Sequence, residues 1–356
     1  MDRPGRSPRQ EVTCLPDPVQ KGDYMRAVFV REFDIFDQLK KIFFIACAWM
    51  GVSMLIALPF KSQAQHSIVH SQYLLNGLLI NPAYAGSHVQ FSATLNYRNQ
   101  WVNFPGAPVT TTLGAHTSLM KGKIGVGMLI NQDKIGAYKN TGVYGSYAYM
   151  IHFPQRNGVF SMGVSAGFNN FNANFGDLTL RDGTDEIFAR LMSEFKPNFG
   201  TGIFYYDDRL FGGFSIPTIL TYEELALSRL DQLQIPRYYY AYGGVKIPLD
   251  PRTKRVILTP SVLVRAQDGT PLSVDFNLSA AFDELVSIGS SYRSGDGAVS
   301  WINFKLSERF YVGYSYDWTV SDIRQYSMGT HEIMLNYRTR IRNVHRNLEC
   351  PTFFSH

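Results

Sequence analysis

Polar and apolar residues alternate in many short segments after residue 64, and these segments are separated by Gly, Pro, Asn and Asp. A period of two residues is typical of β-strands, in which successive side chains point to opposite faces of a sheet. In the segment Val89–Arg98, apolar residues such as Leu95 and Tyr97 share one face, and polar residues such as Asn96 and Arg98 share the other. No helical periodicity persists, so the pattern predicts an all-β protein.

About fourteen segments of this kind occur, and an even number of antiparallel strands is typical of bacterial barrels. Their predicted starts lie near Val89, Val109, Lys123, Asn140, Val159, Asn198, Leu210, Tyr238, Lys254, Thr270, Glu284, Gly297, Arg309 and Met328. In the segment Arg309–Trp318, Val312, Tyr314, Tyr316 and Trp318 share one face. We expect this face to contact lipid.

The lengths of the connections alternate as well. If both chain ends lie in the periplasm, every second connection is a tight turn, such as Met120–Gly122 and Ser307–Glu308. The long connections fall on the opposite side, and they are Gln100–Pro108, Asp133–Lys139, Phe171–Pro197, Thr218–Arg237 and Thr319–Ser327. Outer-membrane barrels sort their loops in this way, whereas a soluble β-sandwich has no reason to do so. The sequence therefore predicts a transmembrane outer-membrane β-barrel of about fourteen antiparallel strands.

Composition agrees with a barrel whose lipid-facing and lumen-facing residues cancel in the average. Aromatic residues make up 14% and charged residues 18% of the chain, and the mean hydropathy is −0.12. The net charge of +5 comes from scattered Lys and Arg, so we expect no nucleic-acid partner. Neither CxxC nor a His-rich metal spacing occurs, and no cofactor or metal is expected.

One apolar run, Ile42–Phe60, precedes the alternating part of the chain. Lys40 and Lys41 lie before this run and Ser62–Ala64 lies after it. Charge, apolar stretch and small residues follow one another in this order in a secretory signal peptide. We expect cleavage after Ala64, and the alternative is an uncleaved membrane anchor.

These features divide the chain into five predicted parts: a doubtful extension (1–38), a signal peptide (39–64), an N-terminal periplasmic or plug segment (65–88), the barrel (89–341) and a periplasmic tail (342–356). Cleavage leaves only Cys350 of the three cysteines, so no internal disulfide is expected. Within the N-terminal segment, Asn81–Gly86 forms either a simple turn or a segment in the periplasmic mouth of the barrel.

Two short motifs resemble catalytic signatures, but strands explain them better. Gly163–Gly167 matches the G-x-S-x-G pattern of hydrolases, which needs a sharp turn that exposes the serine. Because alternation continues through this motif, we expect Ser165 to face the lumen from a strand. His331 and Glu332 do not begin an H-E-x-x-H zinc site, because position 335 is Leu. We therefore expect no enzymatic activity.

Six charged residues are predicted to face the lumen: Arg98, Asp275, Arg293, Asp317, Glu332 and Arg338. Buried charges need partners, so these residues form either an internal ion network or a surface that contacts exported cargo. Glycine is frequent on the same face, at Gly125, Gly127, Gly163, Gly167 and Gly313. Small residues let another backbone approach closely, which favours a filled lumen over an open pore.

Several local sequences recur in the order and spacing of a known family. They are Ser71–Tyr73, Asn81-Pro82-Ala83-Tyr84-Ala85-Gly86, Tyr97-Arg98-Asn99-Gln100-Trp101, Pro105–Pro108, Gly213–Pro217, Ser291–Arg293, Gly313-Tyr314-Ser315-Tyr316-Asp317, Gly329-Thr330-His331-Glu332-Ile333 and Cys350-Pro351. From about residue 66 onward, the chain resembles the PorP/SprF family of type IX secretion system membrane proteins from Bacteroidota. The motif positions that we single out are Asn81, Pro82, Ala83, Gly86, Arg98, Trp101, Tyr316, Asp317, His331 and Glu332.

The resemblance implies a fourteen-stranded outer-membrane barrel that handles protein and catalyses nothing. It implies, as partners, cargo with a type B C-terminal sorting domain and the components of the type IX translocon, and it links the chain to gliding motility. We expect the loops Phe171–Pro197 and Thr218–Arg237 to lie outside the cell and to contact the exported partner. The residues alone leave a second reading open, a porin or small-solute transporter.

Overall fold

The computed structural model describes residues 70–88, 90–173, 192–221, 237–250, 253, 255–267, 270–294, 297–319 and 327–339. The predicted extension 1–38, the signal peptide 39–64 and the tail 342–356 lie outside the described residues. Most of the two longest predicted loops does so too. Within the described residues, no helix is long and apolar enough to cross a membrane.

Fourteen β-strands account for most of the described chain, as the alternation predicts. They are β1 (Phe91–Asn99), β2 (Val109–Leu119), β3 (Ile124–Ile135), β4 (Tyr138–Phe153), β5 (Gly158–Ala173), β6 (Met192–Tyr206), β7 (Leu210–Ile216), β8 (Tyr238–Val245, continued by Ile247–Pro248), β9 (Val256–Gln267), β10 (Ser273–Phe282), β11 (Val286–Arg293), β12 (Gly297–Lys305), β13 (Phe310–Thr319) and β14 (Thr330–Thr339). Lys246 interrupts β8, and its N–H donates to the carbonyl of Arg209 at 2.6 Å.

The strands form one closed sheet. Each strand pairs antiparallel with the next strand along the chain, and the last strand returns to the first. β14 pairs with β1 from Phe91 opposite Thr339 to Asn99 opposite His331. This pairing closes the barrel and removes the unpaired edges that an open sheet exposes. The predicted fourteen-stranded antiparallel barrel is confirmed.

The burial pattern along the strands is the reverse of that in a soluble protein. In β1, Leu95 is 42% exposed, whereas Asn96 and Arg98 are 1% and 2% exposed. In β13, Tyr314 is 40% exposed and Asp317 is buried. Apolar side chains therefore cover the outside and polar side chains line the inside, which suits a barrel surrounded by lipid.

One strand start differs clearly from its prediction. Thirteen of the fourteen predicted starts lie within three residues of the observed ones, but β6 begins at Met192 and not near Asn198. Pro cannot donate to a strand ladder, so Pro197 resembles a loop residue in sequence. In the barrel, Pro197 pairs opposite Phe168 of β5, and the register continues to Met192 opposite Ala173. The predicted loop Phe171–Pro197 is therefore shorter at both ends.

The predicted long loop Asp133–Lys139 is wrong. β3 continues to Ile135 and β4 begins at Tyr138, and these two residues are paired. Only Gly136 and Ala137 connect them, and Gly136 has a φ of 56°, which a tight hairpin favours. The polar residues resemble loop residues in sequence, but in a barrel polar residues such as Asp133 face the lumen.

The two ends of the barrel differ in their connections. We call the end that holds the connections after β2, β4, β6, β8, β10 and β12 the turn end. The opposite end, which holds Gln100–Pro108 after β1, is the loop end. In outer-membrane barrels, short turns face the periplasm and longer loops face the exterior. The same rule assigns the loop end of this barrel to the outside.

Residues 70–88, which we call the luminal segment, lie inside the barrel. Ser71 hydrogen-bonds to Asp317 near the loop end, whereas Gly86 packs against Gly125 near the turn end. The segment therefore runs through the lumen from the loop end to the turn end before the chain enters β1. It contains two short 3-10 turns, Gly77–Leu79 and Pro82–Tyr84. Asn81–Gly86, predicted as either a simple turn or a segment in the periplasmic mouth of the barrel, belongs to this segment, and Pro82–Tyr84 forms a 3-10 turn near the turn end.

Candidate functional site

Glycines on the inner face make room for the backbone of the luminal segment. A Cβ at Gly125 would come closer than 3.0 Å to the carbonyl of Ala85, and one at Gly163 would come equally close to the backbone of Ala83. Real Cβ atoms do not approach backbone this closely. These two glycines are therefore needed where the segment touches the wall, as the prediction of a filled lumen requires.

The other predicted glycines differ in their roles. A Cβ at Gly313 would collide with the Asn303 amide of the neighbouring strand and with the Gln72 amide of the luminal segment, and one at Gly127 would press against Leu78. Gly167 instead accommodates Tyr144 of the neighbouring strand, so it packs within the barrel wall. Four of the five predicted glycines therefore make room for the luminal segment.

Hydrogen bonds fix the middle of the luminal segment to the wall. The Oγ of Ser161 donates to the carbonyl of Ala83 at 2.7 Å, and the Oγ of Ser215 donates to the carbonyl of Ile80 at 2.6 Å. Asn81 is fully buried; its Oδ1 accepts from the N–H of Ala83, and its Nδ2 donates to the carbonyl of Ile203 at 2.9 Å. Buried backbone groups outside a strand ladder need hydrogen-bond partners, and these side chains provide them.

Apolar contacts support the same region. Leu78, Ala83 and Tyr84 of the luminal segment form a buried cluster with wall residues that include Met150 and Phe204. The rings of Tyr84 and Phe204 have their centroids 5.6 Å apart. Burial of this apolar surface stabilises the segment inside a lumen whose wall is otherwise largely polar.

A buried ion network fixes the start of the luminal segment. Arg98 of β1 donates from Nη2 to Asp317 at 2.6 Å and from Nη1 to Glu332 at 3.1 Å. The Oγ of Ser71 accepts from Arg98 at 2.9 Å and donates to Asp317 at 2.8 Å. The backbone N–H of Ser71 donates to Glu332 at 2.9 Å, so one residue of the segment contacts all three charged groups.

The network extends to a second ion pair. Arg293 donates to Asp275 at 3.0 Å, and its Nη1 lies 3.7 Å from Asp317. Three carboxylates (Asp275, Asp317 and Glu332) and two guanidiniums (Arg98 and Arg293) leave one net negative charge. All five residues are less than 10% exposed. Their mutual contacts make them an internal ion network, and contact of these residues with exported cargo, the second predicted alternative, stays a prediction.

Arg338, the sixth charged residue predicted for the lumen, lies elsewhere. It belongs to the turn-end part of β14, where its Nε donates to Asn336 at 2.8 Å. Its guanidinium lies 4.7 Å from the ring centroid of Tyr311. The structure therefore brings together five of the six predicted lumen charges.

The remaining motif residues lie around the loop end. The N–H of Trp101 donates to Thr330 Oγ1 at 3.2 Å, and the OH of Tyr316 donates to the carbonyl of Met328 at 3.0 Å. His331 Nδ1 lies 2.7 Å from the OH of Tyr314. These contacts join the loop after β1 to β14, and β13 to the residues that precede β14, at the loop end.

Above the luminal segment lies a cavity of about 250 Å³. We call it the cup. Tyr73, Leu79 and Ile80 of the luminal segment line it from below, and Tyr238 and Phe171 belong to its wall. Its wall residues come largely from the loop-end parts of β3 to β9. The cup cannot be predicted from the alternation of residues, because its lower side depends on the path of the luminal segment.

Sequence reasoning also missed three residues. Ser71 and Asn96 contact the carboxylate of Glu332, and Arg265 lines the cup. The alternation in β9 indicates an inward-facing Arg265, because this residue lies on the same face as Ser261 and Leu263. Among the described residues, no group of three or more His, Cys, Asp or Glu side chains is arranged to hold a metal ion.

Comparisons with known proteins identify one family. A family model described as "Type IX secretion system membrane protein PorP/SprF" matches residues 62–337. No curated protein matches the chain in sequence. The match of the family model spans most of the chain.

Several solved structures are similar to this barrel at low identity. The outer membrane protein Omp33 of Acinetobacter baumannii is 10% identical, with a TM-score of 0.40 over 71% of this chain and 100% of that chain. The P. putida toluene transporter TodX is 8% identical, with a TM-score of 0.42 over 78% of this chain and 95% of that chain. The CymD monoaromatic hydrocarbon channel is also 8% identical, with a TM-score of 0.42 over 76% of this chain and 94% of that chain.

Proposed function

Because this outer-membrane barrel belongs to the PorP/SprF family of type IX secretion system membrane proteins, we propose that it binds exported protein and does not act as a solute channel. Its cargo carries a type B C-terminal sorting domain, and the barrel helps to export that cargo through the type IX translocon and holds it at the cell surface. The family supports the cargo class.

The filled lumen is the observation that carries this proposal. A solute channel needs a continuous aqueous path, but the luminal segment crosses the barrel and is fixed by Ser161, Ser215 and Arg98. The partner then binds at the loop end, where recognition residues can vary without disturbing the barrel. The described parts of the predicted exterior loops Phe171–Pro197 and Thr218–Arg237 lie in the loop-end half of the barrel, and their central parts lie outside the described residues.

Export is tested with a reporter protein fused to the sorting domain of the cognate cargo. Deletion of the barrel gene should abolish surface display of this reporter, and the plasmid-borne gene should restore it. A reporter without the sorting domain is the control and should stay inside in both strains. Equal surface display with and without the barrel would refute the proposal.

The side of binding is tested with two cysteine variants. Phe104 lies in the loop after β1 at the loop end, and Arg156 lies in a turn at the turn end. Both side chains are exposed. A bulky maleimide on Phe104→Cys should reduce capture of the purified sorting domain, whereas the same group on Arg156→Cys should leave capture unchanged. Inhibition at Arg156 alone would place the binding surface at the turn end.

Conductance separates the proposal from a porin. The wild-type barrel in a planar bilayer should carry little current, because the luminal segment occupies the lumen. A sustained open-channel current from wild type would favour the small-solute transporter instead.

A further inference from the structure

Among the residues that the structure describes, no carboxylate directly contacts a buried cation that lines the cup. Arg265 of β9 lines the cup and is 6% exposed. Within the described residues, its side chain donates one hydrogen bond, from Nη2 to Ser273 Oγ at 3.0 Å, and it forms no ion pair. A guanidinium has five N–H donors in a fixed planar arrangement, and it binds a carboxylate best through two of them.

Cationic side chains outnumber carboxylates among the residues that line the cup. Lys139 lies at the rim, and like Arg265 it pairs with no carboxylate of the described chain. The carboxylate that lines the cup, Asp133, already accepts from Thr110 Oγ1 at 2.6 Å. The neighbouring ion network carries one net negative charge, but its carboxylates are held by Arg98, Arg293 and Ser71. The donors of Arg265 therefore remain available to an anion in the cup.

Unpartnered polar groups accompany this cation. Thr112 is 1% exposed, and its Oγ1 has no hydrogen-bond partner among the described residues. The same holds for Asn140 Oδ1 and His70 Nδ1, and all three residues line the cup. A buried polar group without a partner is costly, so such groups in a cavity are completed by water or by a polar ligand.

The rest of the wall is aromatic and aliphatic. Tyr238, Tyr240 and Phe171 provide rings, and Leu129 and Leu263 provide branched side chains. Apolar walls with a few convergent polar groups are typical of sites for small ligands and chain ends. A ligand that fits both parts has an apolar body and one anionic head.

We propose that the cup binds a carboxylate attached to an aromatic or branched aliphatic group, with Arg265 as its cationic partner. The apolar body lies against the rings and leucines of the wall, and Thr112 and Asn140 form hydrogen bonds to polar groups beside the carboxylate. Two sources offer this chemistry, the C-terminus of a polypeptide and a free aromatic or branched-chain acid. The inference concerns the cup itself and does not depend on a role in export.

The test uses the full mature barrel in detergent micelles and isothermal titration calorimetry. Phenylpropionate is the probe, and phenylpropanol is its uncharged partner of the same shape. The acid should bind at least about tenfold more tightly than the alcohol, because charge-assisted hydrogen bonds to Arg265 are lost with the alcohol. Equal affinity for the two compounds, or no binding of the acid, would overturn the proposal without any variant.

Variants then locate the site. Arg265→Gln should weaken binding of the acid about tenfold and leave binding of the alcohol unchanged. Arg265→Lys should recover part of the lost affinity for the acid. Arg255→Gln is the matched control, because Arg255 precedes the same strand at the turn end and is 75% exposed. A retained heat-modifiable band on gels shows that each variant is folded. An unchanged affinity of folded Arg265→Gln for the acid would overturn the proposal.

A second pair of probes identifies the source of the carboxylate. Acetyl-leucyl-phenylalanine with a free C-terminus is compared with its C-terminal amide. Tighter binding of the free-acid peptide than of phenylpropionate supports a polypeptide chain end as the ligand, and the reverse order supports a free acid. Equal affinity of the peptide acid and its amide would contradict recognition by Arg265.

Discussion

Replacement of Arg98 by Met should release the start of the luminal segment while the barrel persists. Met is similar in length to the aliphatic part of Arg but has no charge or hydrogen-bond donor. In the wild type, Arg98 contacts Asp317, Glu332 and Ser71, and its side chain is 3% exposed. The backbone of β1 keeps its pairing with β2 and β14, because these bonds do not involve the side chain.

The expected loss of stability follows from the charged groups that stay buried when Arg98 is removed. Without Arg98, three carboxylates share only Arg293, and the net negative charge of the network doubles from one to two. Removal of one partner of a buried ion pair costs about 3–5 kcal/mol. An exposed ion pair contributes about 0–1 kcal/mol. Arg255→Met, which removes an exposed pair with Asp283 at 3.8 Å, is therefore the matched control.

Two measurements check this prediction. Urea unfolding in lipid vesicles should show a loss of about 3–5 kcal/mol in the unfolding free energy for Arg98→Met and less than about 1 kcal/mol for Arg255→Met. Planar-bilayer recording should show new current for Arg98→Met alone, because the loop-end part of the lumen is no longer held closed. Adding Glu332→Gln to Arg98→Met should restore part of the stability, since one unpaired charge is removed.

The reasoning fails if Arg98→Met unfolds within about 1 kcal/mol of wild type and carries no new current. In that case the hydrogen bonds of the segment to Ser161 and Ser215 would hold it without the network. A full loss of the barrel in Arg98→Met, with the double variant equally unfolded, would show that the network stabilises the strands and not the segment.

Three further predictions follow from the same contacts. Gly125→Val should displace the luminal segment and raise the bilayer current, whereas Gly145→Val should not, because the nearest atom to a Cβ at Gly145 is 3.9 Å away. Ser71→Ala should lower the unfolding free energy by about 1–3 kcal/mol, as it loses two bonds to charged groups but keeps its N–H bond to Glu332; an unchanged urea midpoint would contradict this. Tyr314→Arg should lower the unfolding free energy by about 2–4 kcal/mol if the site lies near the membrane midplane, whereas Tyr314→Phe should be nearly neutral. Equal folding yields of the two variants in vesicles would refute the lipid-facing assignment of Tyr314.

Much of the barrel follows from the period of two, because this period fixes which residues face the lipid. The strand β1 is predicted nearly to its ends, with Arg98 on the inner face. The hairpin at Gly136 is not predicted, because the polar residues around it are equally suited to a loop and to a lumen-facing strand. Only the closed register decides between the two, since Ile135 pairs with Tyr138.

The site is less predictable than the barrel. The inward face of Arg98, Asp317 and Glu332 can be read from each strand, but their meeting depends on the closure of β14 on β1. The role of Ser71 depends on the path of a segment that has no periodic pattern. Arg338 shares its face with Glu332, yet it lies at the other end of β14, because alternation gives the face of a residue and not its depth in the membrane.

The binding site of Ser71 exists only after the last strand has met the first. Arg98 comes from β1 and Glu332 from β14, and the two residues are opposite each other in the closing register. During assembly, the contacts of Ser71 with both Arg98 and Glu332 can therefore form only together with the final pairing. The closed barrel surrounds the luminal segment, and no open sheet edge remains through which the segment could leave sideways. Sideways opening at this junction would break the Arg98–Glu332 pair and at the same time release the start of the luminal segment. This junction is therefore poorly suited to act as a lateral gate.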